Sequence, residues 1–570
     1  MARGLAESQG RNTRLPLARA FCEATLKHYW IVLCKAENCN WKIRACPVVP
    51  LVCLEPASIR LSTEIGENLA KLPTTLASYL LGTLYTAMLP EDTRAQWGAY
   101  YTPPGLVDRL LEMAGQAGFD WRKGTAIDPA CGGGAFLAPV ALRMWQHSRG
   151  GSPEFVLRNI ATRLSGMEID PFAGWMSHVL LEAALLRLCM KAGMRMPDIV
   201  SITDSLAAMP AKLFDLVIGN PPYGRVTLSP ELRERYARSL YGHANLYGLF
   251  TDLAVQLTKP GGVIAYVTPT SFLGGQYFKS LRALLSREAP PCTVDFIADR
   301  EGVFDDVLQE TMLAVFTRAP SECRPVAVHF LEPAGSLDAV RVDEVGQFAL
   351  EASDTPWILP RNRRQAGILP RLLAMRRLSD YGYSISTGPL VWNRHKTQLR
   401  DRKSGRNTFP LVWAESVTPD GRFSFSAIKR NHVPWIQIED DQGFLVVRES
   451  CVLIQRTTSR EQNRRLIAAI MPSVFLANQG GAVVENHLNM ALRIAPGPIL
   501  PETICALFNS RAVDQAYRCI SGSVAVSAYE LEALPLPAER QMLALQRLVT
   551  GGASREVVER TVARMYGMAK

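Results

Sequence analysis

Thr125-Ala126-Ile127-Asp128-Pro129-Ala130-Cys131-Gly132-Gly133-Gly134-Ala135-Phe136-Leu137 reads as a short apolar strand that ends in an acid, turns through three glycines and enters a helix. Glycines between strand and helix let a ligand approach the backbone and the helix N-terminus closely. The turn fits neither of two phosphate-binding patterns. No Lys-Ser/Thr pair follows it, and Leu137 stands where G-x-G-x-x-G needs its third small residue. Cys131 fits the turn as a small buried side chain and needs no redox role. The surrounding chain gives the turn its weight. Short apolar segments at Thr125–Asp128, Leu164–Ile169, Ile199–Thr203, Leu213–Gly219, Gly262–Thr268, Val294–Ile297 and Thr311–Phe316 alternate with helical patterns at Gly134–His147, Pro171–Ala192, Asn245–Leu257 and Tyr277–Ser286. This alternation predicts an α/β fold on a parallel, doubly wound sheet, and such sheets bind ligands beyond the carboxyl ends of their strands.

The residues at those ends are informative. Glu168 follows Gly166-Met167, where a carboxylate can accept two hydrogen bonds from a ribose diol. Thr203-Asp204-Ser205-Leu206 offers an acceptor for an exocyclic amine. Any one of these acids would pass for a helix cap. Acids at three successive strand ends, in this order, fit an adenosine-bearing cofactor. Phe214-Asp215-Leu216-Val217-Ile218-Gly219-Asn220-Pro221-Pro222-Tyr223-Gly224 then carries a buried strand into a stiff polar tetrapeptide with an aromatic ring. The two prolines fix the backbone, which aims the Asn220 side-chain oxygen and the Pro221 carbonyl at one point. Tyr223 supplies a stacking face for a planar base. An exocyclic amine is a poor nucleophile because its lone pair is delocalised into the ring. Two fixed acceptors on its hydrogens draw the nitrogen toward tetrahedral geometry and free the lone pair for attack on a methyl sulfonium.

On these residues the chain resembles the S-adenosylmethionine-dependent adenine-N6 DNA methyltransferases of the gamma class in type II restriction-modification systems, the TaqI-like modification enzymes, with specific motifs over residues 99–318. The resemblance implies a Rossmann-like S-adenosylmethionine-dependent methyltransferase domain followed by a mixed α/β target-recognition domain. Its cofactor would be S-adenosyl-L-methionine. By the same resemblance Tyr101 and Thr102 contact the methionine end, Asp128, Ala130 and Gly132 form the first cofactor loop, Glu168 and Ile169 meet ribose and adenine, and Asp204 with Ser205 meets the adenine edge. Asn220, Pro221, Pro222 and Tyr223 match the Asn-Pro-Pro-Tyr catalytic motif. Phe304 aligns with an aromatic that holds the flipped base from its other side, with Phe272 and Phe250 as competitors. The gamma order and Tyr223 favour adenine N6 over cytosine N4. No metal is implied.

Length, composition and charge bound this reading. A chain of 570 residues suggests two to four domains, and 48% hydrophobic with 20% charged residues excludes wholesale disorder. No run approaches the roughly 18 apolar residues of a membrane span, and the charged first 30 residues do not form a signal peptide, so a soluble cytoplasmic protein is expected. The resemblance adds a bacterial, nucleoid-associated setting. Cys22, Cys34, Cys39, Cys46 and Cys53 crowd the start at spacings that match zinc pairs poorly.

Four regions are expected: a poorly defined leader (1–60), a helical lead-in (61–97) whose pattern runs from Ile65 to Leu89, the catalytic domain (98–330), and the target-recognition domain (361–570). A helix at Leu106–Ala117 should enter through Pro103 and Pro104. Residues 361–570 hold 29 basic and 17 acidic side chains, whereas the remainder holds 34 and 36. An excess confined to one region fits a surface that follows a phosphate backbone. Arg394, Lys396, Arg402 and Lys403 are the candidate DNA contacts in its densest part, and Arg456 and Arg460 lie in a polar segment, Gln455–Arg460, grouped with Asn486-His487-Leu488.

Double-stranded DNA is thus the expected substrate and partner, with a cognate restriction endonuclease as genetic partner by resemblance. The absence of a Pro-Asp and Asp/Glu-x-Lys core ahead of the catalytic domain predicts modification without cleavage. A monomer suffices, since each half of a palindromic site can be methylated separately. The competing readings are a protein-glutamine or RNA methyltransferase, disfavoured by the long basic region, and a non-catalytic DNA-binding protein on the same scaffold, disfavoured by the intact tetrapeptide.

Overall fold

The computed structural model describes residues 13–48, 52–97, 101–148, 150–208, 212–297, 310–319, 325–335, 337–350, 355–457, 464–520 and 525–568. The chain divides into two compact units, Met1–Pro269 with Tyr277–Asp354 and Thr270–Gln276 with Thr355–Lys570.

The first unit opens with helices α1 (Arg14–Ala36), α2 (Pro56–Leu69), α3 (Thr74–Met88) and α4 (Pro104–Gln116). Then follow β1 (Ala126–Asp128), α5 (Leu137–Gln146), α6 (Pro153–Arg163), β2 (Leu164–Glu168), α7 (Pro171–Ala184), α8 (Leu186–Ala192), β3 (Val200–Ile202) and β4 (Phe214–Gly219). The unit closes with α9 (Leu246–Leu257), β5 (Thr258–Pro269), α10 (Lys279–Glu288), β6 (Pro291–Ile297), β7 (Thr311–Thr317), β8 (Val326–Pro333) and β9 (Val340–Phe348). Local chemistry explains the helix starts. Pro104, Pro153 and Pro171 each occupy the first turn, where a missing N–H costs nothing, and Ser152 and Asp170 accept the backbone N–H of Phe155 and Phe172 as caps.

Among the described residues these strands form a nine-stranded sheet in the order β9-β8-β6-β7-β5-β4-β1-β2-β3. From β3 to β5 neighbours run parallel, as expected for a doubly wound sheet. Beyond β5 the sheet is mixed, which corrects the expectation of a parallel one. β7 lies antiparallel to both β5 and β6. Antiparallel neighbours need no helical crossover, and none of the expected helices separates Val294–Ile297 from Thr311–Phe316. β8 and β9 then extend the sheet as an antiparallel pair, so it continues to Phe348, past the expected domain end at 330.

The leader also differs from expectation. Residues 14–36 form a 23-residue helix in which Phe21, Leu26, Tyr29 and Trp30 are buried with residues of α3, α7 and α8 in one apolar cluster. Its buried residues are spread around the helix rather than along one stripe, so no amphipathic period marks it in the sequence. The expected lead-in helix is two helices, α2 and α3, interrupted before Pro73, which cannot continue a hydrogen-bonded turn. The expected helix 171–192 likewise breaks into α7 and α8, bent by 70°. Among the described residues no single helix is long and apolar enough to cross a membrane.

The second unit carries a four-stranded sheet (Tyr383–Thr387, Leu488–Arg493, Cys451–Gln455, Ala468–Met471) and a five-stranded sheet (Leu399–Arg400, Trp435–Gln437, Thr408–Val412, Ala482–Val484, Val446–Val447), followed by helices Pro501–Phe508, Arg511–Ile520, Glu539–Thr550 and Arg555–Met565. The segment Thr270–Gln276 belongs to it. Trp357 N–H donates to the Leu273 carbonyl at 2.8 Å, and the Phe272 and Trp357 rings meet edge to face at 5.8 Å.

Candidate active site

Strand order sets the place of the site. Between β1 and β4 the winding reverses, and ligands on such sheets sit beyond the strand ends at that switch. A cavity of about 420 Å³ opens there, within the size range of small-molecule sites. All nine residues expected at the cofactor line it: Tyr101, Thr102, Asp128, Ala130, Gly132, Glu168, Ile169, Asp204 and Ser205. Asn220 and Pro222 line it too, but Pro221 and Tyr223 do not.

The glycine turn is built for close approach. Gly132 and Gly134 adopt φ of +51° and +84°, which L side chains avoid, and a Cβ on Gly133 would lie 2.5 Å from the Tyr101 hydroxyl. Glu168 ties this turn to the second strand. Its Oε2 accepts from Gly132 N–H at 2.8 Å and its Oε1 from Asp170 N–H at 2.9 Å. Asp128 accepts from Ala130 N–H at 3.0 Å, and a Cβ on Gly219 would lie 2.6 Å from its Oδ1. Burial pushes the Asp128 carboxyl up to about 8, against the Ala130 amide and with a smaller push from the Glu168 charge. Burial also raises Glu168, opposed by the amides that it accepts from.

The far wall comes from β3 and the chain after β4. Ser205 Oγ donates to the Pro129 carbonyl at 2.5 Å, joining the ends of β1 and β3, and Asp204 caps the Leu206 N–H at 2.9 Å. Ile169 (58% exposed), Leu206 and Phe250 give the cavity an apolar surface suited to a planar ring.

The amide of Asn220, on the cavity wall, is oriented by Thr102 and Tyr223. Its Nδ2 donates to Thr102 Oγ1 at 3.2 Å, and its Oδ1 accepts from the Tyr223 hydroxyl at 2.8 Å. The same hydroxyl lies 3.2 Å from the Val267 carbonyl. The Tyr223 ring is 7% exposed and meets Tyr247 edge to face at 6.0 Å, so the face expected to stack on a base is buried in this structure. Of the three phenylalanines considered for the base, Phe250 lines the cavity, Phe272 is buried in the second unit, and Phe304 lies outside the described residues.

The basic candidates fall on the second unit. Arg394, Lys396, Arg402 and Lys403 are exposed; Lys396 lies over the Trp392 ring, and Lys403 lies over that of Trp435 with its Nζ 3.2 Å from Gln479 Oε1. Arg456 is half-buried and donates to the Asn486 carbonyl at 2.6 Å, a tie within its own unit, whereas Arg460 lies outside the described residues.

Sequence reasoning missed the cavity's third side. Tyr85, Thr86 and Leu89 line it from α3 and the residue after it, and Asp170 lines it from the α7 cap. Asp170-Pro171 was legible as a helix start, but nothing local shows that α3 folds back over it.

The residues present suit an adenosyl ligand with a cationic end: acids at the ends of β1, β2 and β3, an apolar slot, and a glycine turn open to close approach. Residues 199–304, which include Asn220–Tyr223, match the family model described as Eco57I restriction-modification methylase. The chain is 27% identical to the Type II methyltransferase M.PstI of Providencia stuartii over 58% of its own length and 66% of that protein's, just under two thirds. To the Type II methyltransferase M.BsuBI of Bacillus subtilis it is 23% identical, over 67% and 72%. Its fold is similar to that of the Type IIL restriction-modification enzyme MmeI, solved in complex with DNA, with a TM-score of 0.51, 14% identity, and coverage of 92% of this chain and 83% of that one. The sequence relatives of this chain are thus Type II methyltransferases, and the family model that it matches is that of a restriction-modification methylase.

Proposed function

We propose that this chain is a site-specific DNA methyltransferase that transfers a methyl group from S-adenosyl-L-methionine to N6 of adenine in duplex DNA. The observation that carries the reading is the Asn220 amide, oriented by Thr102 and Tyr223 on the wall of a cavity that the strand-end acids also line. Bound there, S-adenosylmethionine supplies an electrophilic methyl group. Glu168 and Asp204 would hold the adenosine, with Ile169, Leu206 and Phe250 along its ring. Tyr101 and Thr102 would hold the methionine end, and Asp128 supports the glycine turn through Ala130.

The target adenine must leave the stack, because its amine is shielded in the duplex. Asn220 Oδ1 then accepts one amine hydrogen and the Pro221 carbonyl the other. A carboxamide oxygen can accept two hydrogen bonds, so the Tyr223 hydroxyl can keep Asn220 aimed while the amine docks. The amine becomes acidic as it gains a methyl group, and no strong general base is needed. Stacking by Tyr223 requires its ring to turn out from its buried position. The second unit's exposed Arg394, Lys396, Arg402 and Lys403 would follow the DNA backbone. A matching restriction endonuclease would be a separate protein.

Transfer of a labelled methyl group to duplex DNA, followed by single-base mapping, tests the reading. Asn220→Ala should lower the rate by about two to three orders of magnitude, the scale of losing one preorganised polar group, with the thermal melt unchanged. Full-rate transfer by that variant would rule out the assigned role, and labelling of RNA or protein in place of DNA would rule out the substrate.

A further inference from the structure

The first-unit helices that precede the sheet do more than cover it. Asp170, 3% exposed, accepts from Arg19 Nη2 at 2.7 Å through Oδ1 and from the Tyr85 hydroxyl at 2.7 Å through Oδ2. Arg19 stands on α1 and Tyr85 on α3, so two helices converge on one carboxylate. Capping α7 requires only that Oδ1 accept the Phe172 N–H. A guanidinium brought from 151 residues away is therefore additional to the cap.

What Arg19 and Tyr85 fix is the backbone next to Glu168. The Asp170 N–H is one of the amides that aim the Glu168 carboxylate, together with those of Gly132 and Ile169. Asp170 and Glu168 are also like charges two residues apart, both at the cavity wall. Among the described residues no Lys or Arg lines this cavity, and of its acids Asp128, Glu168, Asp170 and Asp204, Asp170 is the one with an ion pair. Removing that cation would leave a buried carboxylate uncompensated beside Glu168, which then would have reason to turn away.

We infer that Arg19 is a positioning residue of the donor site, acting through Asp170 on the carboxylate of Glu168, with Tyr85 as its second support. The inference rests on the proposed donor site and adds α1 to it. The test is the affinity for S-adenosylhomocysteine, measured by calorimetry on the full chain for the unaltered protein, Arg19→Met, Glu168→Gln and the double variant, with melting curves alongside. Arg19→Met and Glu168→Gln should each lose about tenfold, and the double variant little more than either alone, because both act on one contact. Arg19→Lys should recover part of the loss. If Arg19→Met folds poorly, Tyr85→Phe, which removes only a hydroxyl, should show a smaller loss with the same failure to add to Glu168→Gln. Independent, additive losses, or full affinity in a folded Arg19→Met, would overturn the inference. Absence of binding by the unaltered protein would overturn the donor-site reading and this inference with it, which the first measurement alone decides.

Discussion

Asp128 shows how much the surroundings of one side chain can do. It sits 1% exposed at the end of β1, with one backbone amide as partner, and burial holds its carboxyl near 8. In the unfolded chain the group ionises near 4. Between these values the folded state keeps a proton that the unfolded state has released, so stability falls as pH rises from about 4 to about 8 and levels off above. Asp128→Asn keeps the acceptor for Ala130 N–H and removes the titration. Its unfolding free energy from urea titrations, relative to the unaltered protein, should therefore improve steadily over that window, by at most about 1.4 kcal/mol per pH unit. A pH-independent difference would show that Asp128 is ionised in the folded protein at neutral pH.

At the scale of elements, α3 shows what the sequence could and could not tell. Its apolar pattern was legible as helix, and Tyr101-Thr102 as part of a site, but not their meeting. Gly82 in α3 is where they touch: a Cβ there would lie 2.0 Å from the Tyr101 ring. Gly→Ala inside a helix ordinarily gains about 1 kcal/mol, whereas overpacking costs about 1–3 kcal/mol. The steric term should win here, because the ring is also against Gly133 and has little room to retreat. Gly82→Ala is expected to lower the melting temperature and to weaken S-adenosylhomocysteine binding by moving Tyr101 out of the cavity wall. A gain in both would mean that the ring adapts freely. The strands at the site were readable for the opposite reason. β1 and β2 are short segments that end in an acid, and β4 is a largely apolar one followed by Asn220, a local signal. The mixed pairing of β7 is set by partners far along the chain and leaves no such mark.

On the scale of the molecule, the second unit was visible in charge but not in structure. Its sheets pair distant segments, such as Tyr383–Thr387 with Leu488–Arg493, and several strands are only two or three residues long. No periodic pattern develops over so few residues. Charge needs no periodicity, so the excess of 29 basic over 17 acidic residues in 361–570 could be read directly. The structure separates roles within that excess. Arg456 is tied to the Asn486 carbonyl, whereas Arg394, Lys396, Arg402 and Lys403 are exposed. If the exposed four neutralise phosphates, replacing them with glutamine should make DNA binding less dependent on salt. The slope of log K against log salt concentration should fall by about 0.9 for each phosphate left without its cation. Arg456→Gln should instead lower the melting temperature and leave the slope nearly unchanged. Titrations of a fluorescent duplex over a range of salt concentrations measure both. An unchanged slope in the fourfold variant would move the phosphate-following surface elsewhere on the protein, while a steep drop for Arg456→Gln alone would mean that its guanidinium leaves Asn486 for DNA.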